Sequence, residues 1–453
     1  MGNSLFAGFN SAVRSMQYAQ HAMNVHSTNV AHANDTNYTR QVAASPSESR
    51  LDGPGIIRSR DAFVDDQYRL ATGSLGEAEV RHKTLTKVED IFGDPVEGGL
   101  RKAIDQFFDA WQGLAENPAD GVARLQVLSG GQILGQQIKE TYDKLTAVET
   151  TVNEELATRV NEVNTALNQV FDLNKRIAGM QRNNMDDAAL RDERDVLLDK
   201  LAHLVGATAI PNTDGTVRVV TGSVVLVDGP TVAKLKLQPI SDGGGAVWEA
   251  YGSPPFVGRG AVAGLLSVRD GELTQLKNDI ATMAEALRTA VNAQHRAGYP
   301  IGGRTGDLVD FFVTTGAPAD LAVNPALTPE QLHAAGGMAG SPADGDNARR
   351  LAQLADRPVL ASVIMPGEQQ AFRAYYRNLV GWVGNRGNET AQAEEIARVH
   401  QRVNEQQRQA GWGVSTDEEV AGLTMQQKAF AAAARVITVM DEMMDTLINR
   451  TGV

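Results

Sequence analysis

Two apolar stripes of the same period sit near opposite ends of this 453-residue chain. Near the start, Leu5, Phe9, Ala12, Met16, Ala19, Met23, His26 and Val30 recur at alternating spacings of four and three. Near the end, Leu423, Gln426, Phe430, Ala433, Ile437, Met440, Met444 and Leu447 do the same. Alternation of three and four draws one seam along an α-helix, the pattern of a coiled coil. His26 and Gln426 each break a stripe with one polar residue. A seam needs a partner helix, and the opposite end of the chain offers one. Ends that pair with each other, or with the ends of other copies, belong to assembling proteins more often than to enzymes.

The length allows a large core and roughly two to four domains. A balance of 42 basic against 55 acidic residues gives a formal charge of -13. That surface argues against nucleic acid or an anionic membrane as the main partner. Residues 1–40 carry only Arg14, Asp35 and Arg40 as charged groups. The first helix is therefore amphipathic through Asn, Ser, Gln and Thr, and is expected to be poorly ordered until it docks. There is no cysteine, so no disulfide framework or thiol chemistry is read from the chain. The first residues lack a basic segment, an uninterrupted apolar stretch and a small-residue cleavage site. No run approaches the ~20 apolar residues that cross a bilayer. The expectation is a cytosolic protein, or one that leaves the cell without a cleaved signal.

Proline and glycine divide the chain. No proline lies between Pro118 and Pro211, and no glycine between Gly135 and Gly179. Within that window Leu145, Val148, Val152, Leu156, Val160, Val163, Leu167, Val170 and Ile177 keep helical spacing. The spacing predicts about forty residues of helix, ~65 Å at 1.5 Å per residue, with a stutter around Val148–Val160. Asn183–Asp187 is expected to interrupt it, and Ala188–Leu204 to return as the shorter arm of an antiparallel hairpin. Thr216–Val220 and Val224–Asp228, joined through Gly222, read as a β-hairpin, with Val247–Tyr251 as a further strand. Gly243-Gly244-Gly245 and Pro254-Pro255 bound that piece. Helix is expected again over Val262–Ala297, and residues 313–346, rich in Ala, Gly, Pro and Asp, read as a short insert. From about Gly367 the chain reads as helical, with breaks at Gly384–Gly387 and Gly411-Trp412-Gly413. Thr416-Asp417-Glu418-Glu419 reads as a capping box, Glu419 reaching back to the helix start.

The fold class is therefore mainly α: an elongated helical rod or coiled-coil bundle built from both chain ends, with a small β-rich insert and a second, loop-rich insert. The segments are an N-terminal assembly helix and turn (1–45), a first rod part (46–205), the β-rich insert (206–260) and a second rod part (261–312). A small variable insert (313–350), a return rod part (351–412) and a C-terminal assembly helix (413–453) complete it.

Motifs of catalysis are missing from the sequence. The eight histidines are scattered, and His21 and His26 are five apart, a poor spacing for two ligands on one helical face. There is no H-E-x-x-H, no phosphate-binding G-x-x-x-x-G-K-[ST] and no G-x-S-x-G. Gly258-Arg259-Gly260 has no third glycine. Arg191-Asp192-Glu193-Arg194-Asp195 could hold a metal in principle, but mixed signs at helical spacing read as a solvated, salt-bridged face. Met440, Met443 and Met444 read as a core or partner-helix face. No catalytic, cofactor or metal residue is assigned.

The termini resemble those of the bacterial flagellar axial proteins. Asn24, Asn29, Ala31 and Asn34, followed by Asn37-Tyr38-Thr39-Arg40-Gln41, are similar to the family's N-terminal motif ending Gly-Tyr-Ser/Thr-Arg-Gln. Asn37 stands for the usual glycine, asparagine being the next best residue for a left-handed backbone, and His32 for a common asparagine. Gly413-Val414-Ser415-Thr416-Asp417-Glu418-Glu419, then Gln427, Phe430 and Ala434-Arg435-Val436-Ile437, resemble the family's C-terminal motif, with Phe430 for tyrosine. Phe107–Pro118, Leu190–Val205 and Gly264–Phe312 are similar to its hook-associated branch.

The resemblance implies export to the outside through the flagellar type III apparatus, without a cleaved signal peptide. It implies assembly of the chain with itself in a ring of the axial lattice, between the hook protein and the next hook-associated protein, with an export chaperone at the C-terminal helix. In the family the terminal helices form the inner tube. The expected assembly residues are Leu5, Phe9, Met16, Met23, Val30, Tyr38, Arg40, Leu423, Phe430, Ile437, Met440, Met444 and Leu447, with Tyr38 and Arg40 anchoring the turn after the first helix. Three other readings stand beside this one: another axial subunit, an enzyme with its site in 206–260 or 313–350, or a secreted coiled-coil adhesin or effector.

Overall fold

The computed structural model describes residues 2–44, 55–93, 99–183, 185–238, 245–249, 255–256, 258–302, 309–360 and 369–449, with backbone alone at 2–5 and 447–449. The boundary residues Gly243, Gly244, Pro254 and Gly367, and the strand end at Tyr251, lie outside the described residues. The chain begins with α1 (Gly2–Ala31), the ribbon β1 (Gln41–Ala43) and β2 (Ile56–Arg58), α2 (Ala62–Phe92), α3 (Leu100–Glu116), α4 (Gly121–Arg182) and α5 (Ala188–Val205). Six strands follow: β3 (Thr208–Pro211), β4 (Val217–Thr221), β5 (Val224–Asp228), β6 (Thr231–Val232), β7 (Lys234–Leu237) and β8 (Ala246–Glu249). Next come α6 (Ala261–Ser267), α7 (Thr274–Arg296), β9 (Phe312–Val313) and β10 (Ala322–Val323). The last elements are α8 (Asp346–Gln353), α9 (Phe372–Trp412) and α10 (Thr416–Asn449). Helix accounts for 69% of the structure, which places it in the mainly α class.

The chain forms two compact units. One gathers residues 1–76, 159–261 and 396–453, the other 77–158 and 262–395. Among the described residues, no helix is long and apolar enough to cross a membrane.

In the first unit α4 and α5 form an antiparallel hairpin. Arg194 donates to Asn174 (3.1 Å) near one end of the pair and Gln181 to Asp187 (2.9 Å) at the turn. Strands β3-β4-β5-β6 make one antiparallel sheet and β7-β8 a separate ribbon. The β4–β5 register pairs Thr221 with Val224, leaving Gly222 and Ser223 as the turn, with Gly222 at φ +54°. A positive φ at the first turn position matches the twist of a two-residue hairpin.

The long helix exceeds the expected forty residues, and Gly384–Gly387 does not break α9. α4 is 62 residues long and runs through Gly130, Gly131 and Gly135. In the second unit a side chain at Gly131 would lie 2.8 Å from Phe311, and one at Gly135 would strike the Leu321 carbonyl. Glycine there costs helix propensity, about 1 kcal/mol per residue, and lets the β9–β10 ribbon rest on the helix. α9 likewise continues through Gly384–Gly387, where Gly387 makes room for the carboxylate of Glu89 on α2. The helix expected over 262–297 contains a π-helical turn, Val268–Leu273, between α6 and α7. Thr274 Oγ1 donates to the Arg269 carbonyl there (2.9 Å), satisfying a backbone group that the wider turn frees.

Asparagines on helices pin strands by one repeated device. Asn174 Nδ2 donates to the Val217 carbonyl (2.8 Å) and its Oδ1 accepts from the Val217 N–H (3.1 Å). Asn164 does the same to Leu235 of β7 (3.0 and 2.8 Å) and Asn292 to Phe312 of β9 (2.8 and 2.8 Å). A carboxamide presents one donor and one acceptor side by side, so it replaces a neighbouring strand for one residue. Each strand's register against its helix is thereby fixed, because buried backbone groups must be paired.

In the second unit the core is aromatic, with Phe107, Phe108, Trp111, Phe311, Phe312 and Phe372 buried. His295 stacks on His333 (4.3 Å between rings). Its Nδ1 donates to the Val309 carbonyl (2.9 Å) and its Nε2 accepts from the His333 N–H (3.1 Å). Those bonds fix a neutral ring. Burial first, and then His333, lower its pKa to about 3.

Candidate assembly site

The two chain ends meet. α1 and α10 run antiparallel: Gly8 lies against Met440, where a side chain would come within 2.6 Å, and Gly422 lies against the His26 ring at 2.5 Å. The interior of the pair is built from small residues. Ala12, Ala19 and Ala22 of α1 and Ala433 of α10 are buried. Alanine and glycine bring the two axes close, and the larger stripe residues then sit at the edges of the contact. Phe9, Met16, Met23, Leu423, Phe430, Ile437, Met440 and Met444 are all half-buried. Val30, expected in the stripe, is 37% exposed, and Asn29 takes the interior position beside it. The side chains of Leu5 and Leu447 lie outside the described residues.

One end of the pair is closed by a carboxylate. Glu419, in the first turn of α10, is fully buried. It accepts from His26 Nδ1 (2.6 Å), Asn29 Nδ2 (2.9 Å) and Arg40 Nε (2.7 Å). This corrects the capping-box reading: Glu419 reaches across to α1 and the following turn, and the hydroxyl facing the helix start is that of Ser415, 3.5 Å from the Glu418 N–H. Burial pushes the Glu419 pKa up, but the hydrogen bonds from Asn29, His26 and Arg40 outweigh it and hold it below the usual glutamate value.

Asn29 is the hub. Besides Glu419, its Nδ2 donates to the Gln41 carbonyl (2.8 Å), while its Oδ1 accepts from the Gln41 N–H (3.0 Å) and the Tyr38 hydroxyl (2.7 Å). This is the strand-pinning device again, here holding β1. Tyr38 stacks on His32 (4.7 Å), and burial, with Asp192, Glu419 and Asp186, raises its pKa. Asn37 does not adopt the left-handed backbone expected of it; among described residues other than glycine only Ala319 does. Asp35 makes the turn instead, its side chain accepting from the Asn37 N–H (2.9 Å) and its carbonyl from the Tyr38 N–H (3.2 Å).

The chain beyond Tyr38 straps the unit together. Thr39 Oγ1 donates to Asp192 (2.6 Å), and Arg58 Nη2 pairs with Asp192 (2.5 Å) and Asp195 (2.6 Å). Arg60 also pairs with Asp195, and Arg408 with Asp199 (2.6 Å). Trp412, at the end of α9, lies between Arg60 (3.7 Å) and Arg408 (4.1 Å), and its carbonyl accepts from the Arg40 N–H (3.1 Å). Burial pulls the pKa of Arg60 down to about 8, against the opposing pull of Asp65. The Arg191–Asp195 cluster is thus a largely buried ion network that receives the N-terminal strap, which overturns its reading as a solvated face. No group of three or more metal-ligating side chains occurs among the described residues.

Glu419, Asn29, Asp192, Asp195 and Trp412 are the site residues that sequence reasoning missed. One signal was available for Asn29: it lies four residues after Val25, on the buried side of α1.

Comparison with known proteins gives this geometry a family. The model of the flagellar hook-associated protein FlgK helical domain matches residues 85–312, half of the chain. That of the flagellar basal body rod FlgEFG protein C-terminal region matches residues 405–450. Flagellar hook-associated protein 1 of Bacillus subtilis (strain 168) is 28% identical over 99% of both chains. Its namesake in Escherichia coli (strain K12) is 27% identical over 69% of this chain and 60% of its own. Among solved structures, the flagellar hook junction protein FlgK from Burkholderia pseudomallei superposes with a TM-score of 0.62 at 16% identity, over 76% of this chain and 99% of that one, and so shares the fold. With the termini paired, long helices between them and small sheets inserted, the chain belongs to the FlgK family of flagellar hook-associated proteins.

Proposed function

We propose that this chain is a non-catalytic structural adaptor of the bacterial flagellum that joins hook to filament by packing its terminal helices into the axial lattice. The observation that carries the reading is the α1–α10 pair. Its alanine interior is satisfied within the chain, while Phe9, Met16, Met23, Phe430, Ile437 and Met440 keep apolar surface to offer neighbours. Val30, Leu423 and Met444 extend the same surface, and Tyr38 and Arg40 hold its end; Leu5 and Leu447 are proposed as assembly residues with them from their place in the sequence stripes. The similarity of 405–450 to rod-protein C-terminal regions supports the pair as a module common to axial subunits. The match of 85–312 favours the junction over the rod.

The partners are then the hook protein on one side, the next hook-associated protein on the other, and further copies of the chain in a ring. An export chaperone covers the exposed stripe of α10 before assembly, and the chain reaches the flagellum without a cleaved signal. Phe430→Asp or Met23→Asp should leave a soluble, folded monomer and abolish assembly and motility. Immuno-electron microscopy should place the wild-type chain in a band at the distal end of the hook. Normal swimming of either variant refutes the reading.

A further inference from the structure

We propose that the outward face of α10 from a second copy of this chain runs parallel along α5 and covers the cleft between α5 and α1, a contact that rests on the assembly role above. The cleft has a volume of about 690 Å³. Val25, Val196 and Leu197 line it with apolar surface, and Asp35, Asp186, Asp192 and Glu193 with carboxylates. None of the described residues lining it is a lysine or arginine. On α4, Gln169 lines the cleft, and the exposed Asp172 and Arg176 at helical spacing from it carry opposite signs. Asp186 stands at the head of α5, where its side chain accepts from the Ala188 N–H (3.0 Å). From there Asp186, Ala189, Glu193, Val196 and Lys200 recur at three and four, and all five are exposed.

α10 carries a second seam besides the one that meets α1. Met425, Lys428, Ala432, Arg435, Val439 and Glu442 recur at three and four on the side of the helix away from α1, and all six are exposed. Between Glu419 and Asp441 the helix has no charged residue except Lys428 and Arg435. In a parallel helix pair each layer of one seam faces the same layer of the other. With Asp186 beside Lys428, Glu193 then meets Arg435 and Lys200 meets Glu442, while Ala189 meets Ala432 and Val196 meets Val439. One register therefore sets three ion pairs and covers two apolar layers, whose valines are 41% and 49% exposed in the single chain. Other alignments are repelled. An antiparallel pairing sets Asp186 on Glu442 and Lys200 on Lys428, and a slip of one heptad sets Lys200 on Arg435 or Glu193 on Glu442. Charge patterns of this kind fix register and reject wrong docking. Lys428 and Arg435, about 10 Å apart at 1.5 Å per residue, also bring long cationic side chains to the carboxylates of the cleft. Both seams stand exposed within one chain, so the match is made between copies. Because the seams are different surfaces, the contact is head-to-tail, and repetition builds a ring or an open helical array, not a closed two-fold dimer.

The absence of cysteine lets the contact be trapped. A full-length Val196→Cys/Val439→Cys variant, oxidised in assembled flagella, should give a ladder of oligomers on a non-reducing gel, and the single variants none. Ala189→Cys/Val439→Cys, whose cysteines face each other only in the antiparallel pairing, should stay monomeric on the same gel. Glu193→Lys and Arg435→Glu should each lower the assembled protein per cell by about threefold or more, and the two together should recover at least about half of the loss. A Val196→Cys/Val439→Cys chain that runs only as monomer, a ladder from the antiparallel control, or a charge pair without recovery overturns the contact. If Phe430→Asp still abolishes assembly in that case, the adaptor role stands without it. If Phe430→Asp assembles normally, both fall.

Discussion

Replacing Glu419 by alanine should free the N-terminal turn from the C-terminal helix without unfolding either unit. The carboxylate accepts three hydrogen bonds, two from cationic or protonatable groups, and each is worth about 1.5–3 kcal/mol net. The full sum is not lost. Arg40 and His26 keep 30% and 23% of their side chains in solvent, so both rehydrate once the anion is gone, and the desolvation of Glu419 itself is recovered. Asn29 cannot rehydrate, being fully buried, but it retains its bonds to Gln41 and Tyr38. A loss of about 2–4 kcal/mol remains, equivalent to about a 30- to 700-fold rise in local opening at 1.4 kcal/mol per factor of ten. Amide hydrogen exchange reads this directly at Tyr38, Arg40 and Gln41, whose protection should fall by that factor while the amides of α4 and α5 hold theirs. Glu418→Ala is the control: Glu418 lies 3.3 Å from Arg40 but is 64% exposed, and exposed pairs contribute at most about 1 kcal/mol. The pH dependence has a definite sign. With its folded pKa below the ordinary value of 4.5, Glu419 stabilises the clasp fully above pH 4.5 and loses that effect as pH falls through the depressed value. Equal protection of residues 38–41 in wild type and Glu419→Ala at pH 7 would refute the clasp.

Asn174→Ala strips the buried Val217 N–H and carbonyl of their partners, and urea denaturation of the variant should show a loss of about 2–4 kcal/mol. Gly135→Ala drives a methyl group into the Leu321 carbonyl, so the second unit should lose about 1–3 kcal/mol and melt earlier in calorimetry, despite alanine's better helix propensity. His295 is neutral when folded, with a pKa of about 3 against 6.5 in the unfolded chain. The unfolded state therefore binds the extra proton, and stability should fall as pH drops from 6.5 towards 3, by up to about 1.4 kcal/mol per unit. His295→Gln should flatten that slope in melts taken between pH 7 and 4.5.

What the sequence made legible follows the range of the interactions involved. The three-four spacing at the two ends, the β4–β5 hairpin and the α4–α5 turn are written in neighbouring residues, and all are present. The errors share one cause. Gly131, Gly135 and Gly387 punctuate a helix by local rules, yet here each removes a side chain so that a distant element can approach, and that element is invisible in the window that contains the glycine. Glu419 fits a capping box locally, but its partner His26 is 393 residues away, and a charge-assisted bond in a buried site outweighs a solvent-exposed cap. The Arg191–Asp195 cluster looks solvated because its own charges alternate. It is buried because Thr39, Arg58 and Arg60, gathered at the open end of the β1–β2 ribbon, arrive to complete it. The seam of α1 was misplaced by one position at its end for the same reason: hydropathy selects Val30, whereas the backbone of Gln41 and the carboxylate of Glu419 require an amide at 29. Polar residues that bind distant backbone have no periodic signature of their own. The asparagines at 29, 164, 174 and 292 show where such a signature would have to be sought, as amides standing on the buried side of an otherwise regular helix. An amide placed there must be paired, and in this chain each is paired with a strand.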